Sequence, residues 1–597
     1  MRLYLPDGET VTLSPDLESA ITYVLQDDQE GSMNTIEKDE QFYRDTESIA
    51  FPKLDDRQLA MLEPLGQRST LRAGETLFVA GQRDLPMTVV LSGELEAFAV
   101  QDDQELILAT PGPRDFIGDI SMLTGTASMV NVRGKAEVSE ILQIPAAALR
   151  RALAELPGVS EPIVQALIMR RDRLRRDRDF AGLRILAEDG CPTAHRIDDF
   201  LDKNHIAHRL VKYEDPEGRA LCDRLHVSVD ALPILFASDG TTRSRPSIRE
   251  VAEVAGLLHP LVLDGETEML CDLVIVGAGP AGLSAAVNAA SEGLKTVVLE
   301  SYAPGGQAGS SSLIENFFGF PSGISGGELT SRAQLQAYRF GAIFSTPTPA
   351  LSLSFSEGTH PLALKIEGCG ATLRTKCVII ASGAEYNRIE AEGRERFDGM
   401  GVYYAATAME ANFCRGATAV VAGGGNSAGQ AAMFLSDVAT NVILIIRGDD
   451  LSKSMSSYLS RRVETKANIE ILHHTVVRKM SGDSHLKEVV LENLQTGERR
   501  TVQTPAVFSM IGAKPCSHWL PPEILRDEKN FIKTGAAVAD APAWKNSGQV
   551  PHLMETSRPG VFAAGDVRSG SVKRCAAAVG EGGMAIEGVH KVLGTYT

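Results

Sequence analysis

The sequence has few cysteines, and no two of them are spaced as a metal-binding or redox pair. Its 597 residues contain eight cysteines, and no Cys-x-x-Cys occurs anywhere. Zinc ribbons and dithiol motifs need that spacing, so the sequence excludes both. Single, scattered thiols are typical of proteins in a reducing compartment. We therefore expect a cytoplasmic location and no metal site.

Long apolar runs are also missing. No run approaches the ~18–20 residues that a membrane-spanning helix needs, and the first residues lack the apolar core of a signal peptide. The net charge of −18 opposes non-specific binding to nucleic acids. Apolar residues make up 43% of the chain, an ordinary value for a globular protein, and the length suggests about four domains.

What the sequence does contain is a glycine-rich turn between an apolar strand and a helix of small residues. The turn reads Gly277-x-Gly279-x-x-Gly282, and a second strand about 20 residues later ends in the acid Glu300. In such a βαβ unit the glycines allow a tight turn, close approach of a pyrophosphate and close helix packing. The helix N-terminus attracts phosphate and the acid accepts from a ribose hydroxyl. A plain strand-turn-helix is the alternative, and the spacing favours dinucleotide binding.

A second glycine turn of this kind lies later in the chain. Gly423-Gly-Gly425-Asn-Ser-Ala428 follows a strand, and its own second strand ends at Arg447 instead of an acid. An acid at that point would repel a 2′-phosphate, whereas an arginine accommodates it. The sequence therefore predicts NADP(H) rather than NAD(H), with Lys453 as a supplementary cation.

Three further segments carry a family resemblance. Gly305-Gly-Gln307, the run from Glu315 and Asn316 to Leu329, and Gly560-Val-Phe-Ala-Ala-Gly-Asp566 accompany the two glycine turns. Together they resemble low-molecular-weight thioredoxin reductase over roughly 325 residues. The resemblance implies two Rossmann-like domains, FAD and NADPH as cofactors, electron transfer from nicotinamide to flavin, and a homodimer. The candidate cofactor-binding residues are Gly277, Gly279, Pro280, Ala281, Gly282, Glu300, Gly306, Gln307, Asn316, Gly383, Gly423, Gly425, Asn426, Ser427, Ala428, Arg447, Lys453, Gly512, Gly565, Asp566, Lys573, Arg574 and Cys575.

One part of the thioredoxin reductase pattern is absent. That family places its redox Cys-x-x-Cys after a Gly-Val-x-Tyr, and here Gly401-Val-Tyr-Tyr404 is followed by Ala405 and, three residues on, Ala408. We therefore expect no transfer from flavin to a dithiol at this point. A helix start packed under the flavin is the structural interpretation of the two alanines.

Residues 51–150 read as short strands between glycine turns, which predicts a small antiparallel barrel. Leu71-Arg-Ala-Gly-Glu-Thr-Leu-Phe and the segment from Phe116 to Leu123 resemble the cyclic nucleotide-binding domain and its phosphate cassette. Asp119 stands where that family has Glu, and Ser128 or Met129 stands where it has Arg. A buried phosphate without a cation is poorly compensated, so cyclic nucleotide binding is doubtful, and a docking or dimerisation module is the alternative. The nearest arginine is Arg133.

Residues 181–262 resemble the thioredoxin/glutaredoxin fold. Cys191-Pro-Thr-Ala194 opens a helix where that family has Cys-x-x-Cys, and Pro233 stands at its cis-proline position. The N-terminus of a helix favours a thiolate, so Cys191 is a candidate monothiol nucleophile. A redox-inactive adaptor domain is the alternative.

These observations predict an α/β multidomain chain. We expect an acidic tail over 1–50, a barrel with helices over 51–180 and a thioredoxin-like domain over 181–262. An FAD domain over 263–384 and 512–597 would hold an inserted NADPH domain over 385–511. Gly31-Ser32-Met33 resembles a cloning scar, and on that interpretation residues 1–32 are foreign to the natural chain. No helix-turn-helix follows the barrel, so DNA binding is rejected.

The predicted function is that of a flavin-dependent oxidoreductase that passes a hydride from NADPH to FAD. Its acceptor would be a small molecule or a protein: a quinone, oxygen, a ferredoxin or flavodoxin, or Cys191 of the same chain. Two alternatives stay open. The barrel could gate the flavin as part of a redox signalling protein, or the chain could be a redox-inactive scaffold that binds FAD.

Overall fold

The structure is a computed structural model that describes most of the chain. Asp119, Glu315 and Ala405 lie outside the described residues, as does the Gly-Ser-Met segment. The described residues are 2–4, 10–12, 35–101, 104–118, 121–176, 182–225, 227–237, 240–258, 261, 267–311, 314, 316–368, 372–397, 400–404, 406 and 408–595.

The first described segments are a short hairpin and a helix, where the sequence led us to expect a tail. Strands β1 (Arg2–Tyr4) and β2 (Thr10–Thr12) pair antiparallel, and helix α1 covers Thr35–Ala50. Arg173, far along the chain, donates to the Tyr43 carbonyl of α1 (3.1 Å). Such long-range contacts stabilise α1, although the periodicity of its own residues does not predict a helix there.

The next region is the antiparallel barrel that the sequence predicts. Helix α2 leads into two four-stranded sheets, and three helices accompany or follow them. Asp55 caps α2 in a reciprocal box with Gln58, as its sequence pattern favours. The bounds are α2 Asp56–Leu62, β3 Gln67–Arg72, β4 Thr76–Phe78, β5 Met87–Ser92, β6 Leu95–Gln101, β7 Gln104–Ala109, β8 Phe116–Ile117, α3 Ser121–Thr124, β9 Asn131–Gly134, β10 Val138–Ile144, α4 Ala146–Glu155 and α5 Pro157–Arg176. The sheets run β3-β10-β5-β8 and β4-β9-β6-β7.

A small α/β unit follows the barrel. Its elements are β11 Leu183–Ala187, α6 Pro192–Lys203, β12 His208–Lys212, α7 Pro216–Leu225, β13 Ile234–Ala237, β14 Thr242–Ser244 and α8 Ile248–Val254. The sheet order is β12-β11-β13-β14, with β11 parallel to β12 and antiparallel to β13. The peptide bond before Pro233 is cis. We refer to this region as the middle unit.

The largest sheet is built from two separate parts of the chain. Its strands run β17-β16-β15-β20-β19-β18, and β31 from near the C-terminus pairs parallel with β20. Helices α9 and α16 pack together across one face. The bounds are β15 Glu268–Val276, α9 Pro280–Ser291, β16 Thr296–Leu299, α10 Gly306–Gly309, α11 Gly326–Arg339, β17 Ile343–Ser345, β18 Ala350–Phe355, β19 Leu362–Ile366, β20 Thr372–Ile380, α15 Pro542–Ser547, β31 Val561–Ala563 and α16 Cys575–Leu593.

A second parallel sheet is inserted between these two parts. Its order is β22-β29-β23-β24-β25, and a three-stranded sheet β26-β27-β28 adjoins it. The chain enters and leaves through the antiparallel pair of β21 and β30. The bounds are β21 Ala384–Tyr386, β22 Val402–Tyr403, α12 Ala408–Phe413, β23 Thr418–Ala422, α13 Asn426–Ser436, β24 Asn441–Ile445, α14 Ser457–Thr465, β25 Ile469–Leu472, β26 Thr475–Gly482, β27 Leu486–Asn493, β28 Arg499–Gln503, β29 Ala506–Ser509 and β30 Ala513–Pro515.

The barrel and the middle unit both rest on the larger sheets. Arg339 of α11 donates to the Leu153 carbonyl at the end of the barrel (2.6 Å). Arg249 of the middle unit donates to the Gly368 carbonyl (3.0 Å). A third contact, from the Tyr302 hydroxyl to Asp199 Oδ2 (2.8 Å), places the middle unit beside the loop that follows β16.

Candidate active site

The first glycine turn has the geometry that its sequence predicts. Gly277 has a φ of 106°, and a Cβ there would lie 2.3 Å from the Ala381 carbonyl oxygen. A Cβ on Gly282 would lie 1.9 Å from the Gly277 carbonyl oxygen. Only glycine fits either position, because the backbone of a neighbouring segment occupies the space of a side chain.

Gly279 differs, because a side chain there would meet almost no protein. Its Cβ would have one neighbour within 4 Å outside the adjoining chain, the Gly306 Cα at 3.9 Å. Gly279 is the N-cap of α9, which continues through Pro280 and Ala281. The free N–H groups of that first turn face open space of the kind a pyrophosphate needs.

Glu300 is a buried carboxylate at the end of β16. Its Oε2 accepts from the Ala278 N–H (2.8 Å) and its Oε1 from the Tyr302 N–H (3.0 Å). Burial raises the pKa of Glu300, and the backbone hydrogen bonds oppose that rise. Oε1 also accepts from the Ser301 hydroxyl (3.3 Å), so Oε2 keeps the lone pair with which the carboxylate can accept from a ribose.

A buried hydroxyl near Glu300 has no partner among the described residues. Thr346 is 7% exposed and its Oγ1 makes no hydrogen bond to any of them, yet Thr346 and Glu300 line the same cavity. A hydroxyl left in this state costs about 1–3 kcal/mol. A ligand with polar groups would satisfy it, and the adenosine part of FAD carries such groups. The residues present therefore fit FAD.

The C-terminal segment meets the first glycine turn, as the sequence predicts. Gly565 has a φ of 77°, and a Cβ there would lie 2.9 Å from the Ala281 Cβ. Burial raises the pKa of the adjacent Asp566. The Lys573 Nζ donates to the Asp566 carbonyl (2.5 Å), which ties the loop before α16 to this segment. Arg574 is the N-cap of α16, and Cys575 is its first residue.

Sequence reasoning missed a buried ion pair that holds this segment. Arg568 Nε donates to Glu581 Oε2 (3.1 Å), and the same oxygen accepts from the Gly565 N–H (2.7 Å). The side chains of Arg568 and Glu581 are 17% and 7% exposed. No spacing rule links a loop arginine to a glutamate inside α16, so only the folded chain reveals the pair.

A cavity of about 1740 Å³ opens beside the first glycine turn. It is lined by residues from the barrel helices, the middle unit and both large sheets. Gln307 lines it and donates through Nε2 to the Ala384 carbonyl, which joins α10 to β21. The neighbouring Gly383 has a φ of 68°. Of the other predicted residues, Asn316 is exposed outside this lining, and Gly512 precedes β30.

The second glycine turn repeats the geometry of the first. Gly423 has a φ of 143°, and a Cβ there would lie 2.1 Å from the Met510 carbonyl oxygen. A Cβ on Gly425 would lie 3.8 Å from the Ser454 carbonyl oxygen, its nearest neighbour outside the adjoining chain. Asn426, followed by Ser427 and Ala428 in α13, accepts from the Ser456 N–H (2.7 Å). The turn has room for a second pyrophosphate, and its glycines, like those of the first turn, are outside the cavity lining.

The cations predicted for a 2′-phosphate are both at the surface. Arg447 is exposed, and it forms no side-chain hydrogen bond or ion pair with any described residue. Lys453 instead lies 3.4 Å from the Asp449 carboxylate, in an exposed pair. A pair of this kind contributes little to stability, so Lys453 can exchange Asp449 for a phosphate.

The segment that carries the two alanines borders the cavity. Tyr403 and Tyr404 line it, and α12 begins at Ala408. Ala405 lies outside the described residues. Val402 and Glu410 line the cavity from this segment too, and the segment contains no thiol until Cys414.

The thiols of the chain differ in setting. Cys191 is the N-cap of α6 and partly exposed, and the next two residues of α6 line the cavity. Burial raises the pKa of Cys575 to about 11 and that of Cys414 to about 12. Both of these thiols therefore stay protonated near neutral pH, which makes them poor nucleophiles. Among the described residues, no group of His, Cys, Asp and Glu could hold a metal ion.

In the barrel, the arginine that follows the phosphate cassette in sequence already has partners. Arg133 donates to Glu96 (3.0 Å) and to Glu105 (2.8 Å), and its guanidinium stacks on the Phe98 ring at 4.3 Å. Ser128 is buried, and its hydroxyl donates to the Val130 carbonyl (2.9 Å). Neither residue offers a free cation to a cyclic phosphate.

Comparison with known proteins assigns the family. Residues 271–582 match the pyridine nucleotide-disulphide oxidoreductase family, and residues 68–155 match the cyclic nucleotide-binding domain. The chain belongs to the first of these families. It is a thioredoxin reductase-like flavin oxidoreductase with an N-terminal cyclic nucleotide-binding domain, and members of the thioredoxin reductase family use FAD and NADPH.

Individual proteins are similar to this chain over about half of its length. The chain is 32% identical over 327 residues to a 34.2 kDa protein in the rubredoxin operon of Clostridium pasteurianum, covering 55% of this chain and 98% of that one. It is 31% identical over 325 residues to thioredoxin reductase of Bacillus subtilis, covering 54% and 95%. The solved thioredoxin reductase of Lactococcus lactis is 28% identical, with a TM-score of 0.48, and covers 54% and 99%. Within the described residues, no helix is long and apolar enough to cross a membrane.

Proposed function

We propose that this chain takes electrons from NADPH into FAD and passes them to an acceptor without a protein dithiol. One observation carries the proposal: the cavity beside the first glycine turn is lined by Tyr403 and Tyr404, from the segment that continues into Ala405 and Ala408. The family position for a redox pair borders that cavity, and the pair is missing. FAD, when bound, supplies the hydride-accepting chemistry.

The residues of the first glycine turn would hold the FAD pyrophosphate. Gly279 leaves the space open, and the N-terminus of α9 donates free N–H groups to phosphate oxygens. Glu300 would orient the ribose, since backbone donors already fix its carboxylate. Asp566, with the N-terminus of α16 at Arg574 and Cys575, would hold the other end of the cofactor. A helix N-terminus there stabilises negative charge.

The second glycine turn would bind NADPH. Gly425 leaves room for its pyrophosphate, and Arg447 is free among the described residues to pair with the 2′-phosphate. Because the turn lies outside the cavity lining, hydride transfer requires the nicotinamide to reach toward Gln307 and Ala384. The antiparallel pair of β21 and β30 connects the inserted region to the region that contains the first glycine turn.

The same reasoning supports a domain division. We propose an FAD domain over 263–384 and 512–597, with the NADPH domain inserted over 385–511, since β21 and β30 lie at both boundaries. The order and directions of β11 to β14 support a thioredoxin-like middle unit over 181–262. A homodimer follows from the family resemblance, and light scattering measures it.

The acceptor would be a small molecule or a protein that reaches the cavity. The settings of the cysteines support this proposal. The thiols of Cys414 and Cys575 are kept protonated by burial, and Cys191 has no second cysteine at the redox spacing. A dithiol must attack a disulfide and then close to release product. No described pair of residues near Gln307 can do both.

Stopped-flow spectroscopy tests the proposal. Anaerobic NADPH should bleach the flavin absorbance of the full chain, and quinones, oxygen, ferredoxin or flavodoxin should then be tried as oxidants. Rapid reoxidation by one of these, with no reoxidation by thioredoxin disulfide, is the expected result. A flavin that NADPH does not bleach would identify the chain as a redox-inactive scaffold.

A further inference from the structure

The middle unit touches the residues that flank the ribose-binding carboxylate. Tyr302 lies two positions after Glu300, and its hydroxyl donates to Asp199 Oδ2 of α6 (2.8 Å). The Tyr302 ring packs edge-on against Phe200, with centroids 5.3 Å apart. Burial raises the pKa of Tyr302, so this hydroxyl remains a donor at neutral pH. The loop after β16 is therefore anchored on α6.

Backbone contacts extend this anchor to the carboxylate itself. The Tyr302 N–H donates to Glu300 Oε1 (3.0 Å), while the Tyr302 carbonyl accepts from Asn204 Nδ2 (3.3 Å). Asn204 is only 7% exposed and also donates to the Phe200 carbonyl (2.8 Å). A continuous hydrogen-bonded path thus leads from α6 to Oε1 of Glu300, which holds in place the carboxylate that would bind a ribose.

The same helix lines the cavity. His195, Asp199 and Lys203 of α6 share its lining with Glu300 and Thr346. Lys203 Nζ lies 2.8 Å from Asp199 Oδ1, so α6 presents a charged pair beside the anchor. The unpartnered hydroxyl of Thr346 belongs to this lining too. Polar groups of two folding units therefore converge on one space next to Glu300.

We propose that α6 of the middle unit forms the outer wall of the adenosine pocket of FAD, with Asp199 as a positioning residue that acts through Tyr302. The inference rests on the proposed function, since it requires FAD at the first glycine turn. It adds that the middle unit, which lies outside the proposed FAD domain, helps to hold FAD. FAD would then bind more tightly when the middle unit is docked. FAD binding therefore stabilises the docked state, and docking in turn strengthens FAD binding.

Affinity measurements test the positioning pair. Tyr302→Phe keeps the ring and removes the hydroxyl, which also contacts the Arg196 carbonyl (3.1 Å), and Asp199→Leu removes the acceptor at similar side-chain size. Each should weaken FAD binding by about tenfold, as expected for a lost hydrogen bond to a charged group. The double variant should be no weaker than either single one, because both remove the same bond. Tyr213→Phe is the matched control, since Tyr213 packs in the other core of the middle unit, and its affinity should equal that of the wild type.

Hydrogen exchange on the unmodified chain provides a test that needs no variant. FAD should slow exchange in Pro192–Lys203, and adenosine monophosphate at millimolar concentration should do so too. Flavin mononucleotide, which lacks the adenosine, should leave that helix unprotected. Protection of the first glycine turn by FAD with no change in α6, or single variants within twofold of wild-type affinity, would overturn the inference alone. A chain that binds no FAD would overturn the proposed function and this inference with it.

Discussion

The two glycine turns share one local geometry but lie in different surroundings. Gly277 and Gly423 both have positive φ values, and a Cβ on either would collide with a carbonyl oxygen across the sheet. The acid that follows the first turn, Glu300, is buried and receives two backbone hydrogen bonds. The cation that follows the second, Arg447, is exposed and has no partner among the described residues.

This difference fits the proposed roles, in which the first turn would hold a resident FAD and the second an exchanging NADPH. The first turn is covered by α16, by the Arg568–Glu581 pair and by α6 of the middle unit. The second is bordered by its own sheet and by α14 and the loop before it. A ligand enclosed by three segments dissociates slowly, whereas one held at an open surface exchanges in each turnover. The surroundings of each turn, more than its glycine motif, thus favour the proposed FAD site at the first turn and the proposed NADPH site at the second.

The largest effect should come from filling the space at Gly279. Gly279→Trp would place a ring where the pyrophosphate would lie, while the Cβ itself meets no protein atom closer than the Gly306 Cα at 3.9 Å. We expect folded, colourless protein, measured by the ratio of flavin to protein absorbance. Gly425→Trp is the matched control, which should stay yellow but resist bleaching by NADPH. Full flavin content in Gly279→Trp would refute the assignment of the first turn.

The next effect concerns the two alanines that follow Tyr404. With NADPH and a separate thioredoxin, disulfide reduction should be near background, because Ala405 and Ala408 supply no thiolate. Flavin bleaching by NADPH should stay normal in the same preparation, and Cys191→Ser should leave quinone or oxygen reduction intact. Thioredoxin reduction at ordinary enzyme rates, about 1–10³ s⁻¹, would instead reveal a cysteine pair, and Cys191 with Cys222 or Cys575 should then be tested.

A smaller effect should follow from reversing the charge at the second turn. An ionic hydrogen bond from Arg447 to a 2′-phosphate contributes roughly 1.5–3 kcal/mol, or about 10–100-fold in affinity. Arg447→Glu should therefore erase or invert the preference for NADPH over NADH, measured as the ratio of flavin reduction rates at low cofactor concentration. Lys453→Met should change the ratio less, since Lys453 already pairs with Asp449. Equal use of both cofactors by the wild type would show that Arg447 is not a phosphate ligand.

The smallest effect is expected at the third phosphate-binding motif, in the barrel. Cyclic AMP or cyclic GMP should barely change the melting temperature, because Arg133 is held by Glu96 and Glu105. A ligand present at 100 times its Kd would stabilise the fold by about 2.7 kcal/mol, which a melting curve detects readily. Met129→Arg tests whether a cation at the cassette position restores binding. A micromolar Kd for the unmodified chain would contradict this prediction.

Local patterns predicted the sites that are continuous in sequence. Both glycine turns, Glu300 and the exposed Arg447 follow from spacing along a single βαβ unit, because neighbours in such a unit are neighbours in the chain. The barrel also follows from its alternating strands and turns, and the family comparison agrees with it. Helix α1 did not follow, because its stabilising partner Arg173 lies more than a hundred residues away.

The amino-acid sequence by itself determined the two dinucleotide turns, their cofactor class and the absence of a Cys-x-x-Cys pair. Tertiary structure alone decided that Glu581 reaches Arg568 and that Arg133 is already occupied by carboxylates. It also decided that Asp199 of the middle unit reaches Tyr302 beside Glu300. Such contacts join segments whose spacing in the chain is arbitrary. The packing of whole units decides which of these residues meet, and no local sequence pattern predicts it.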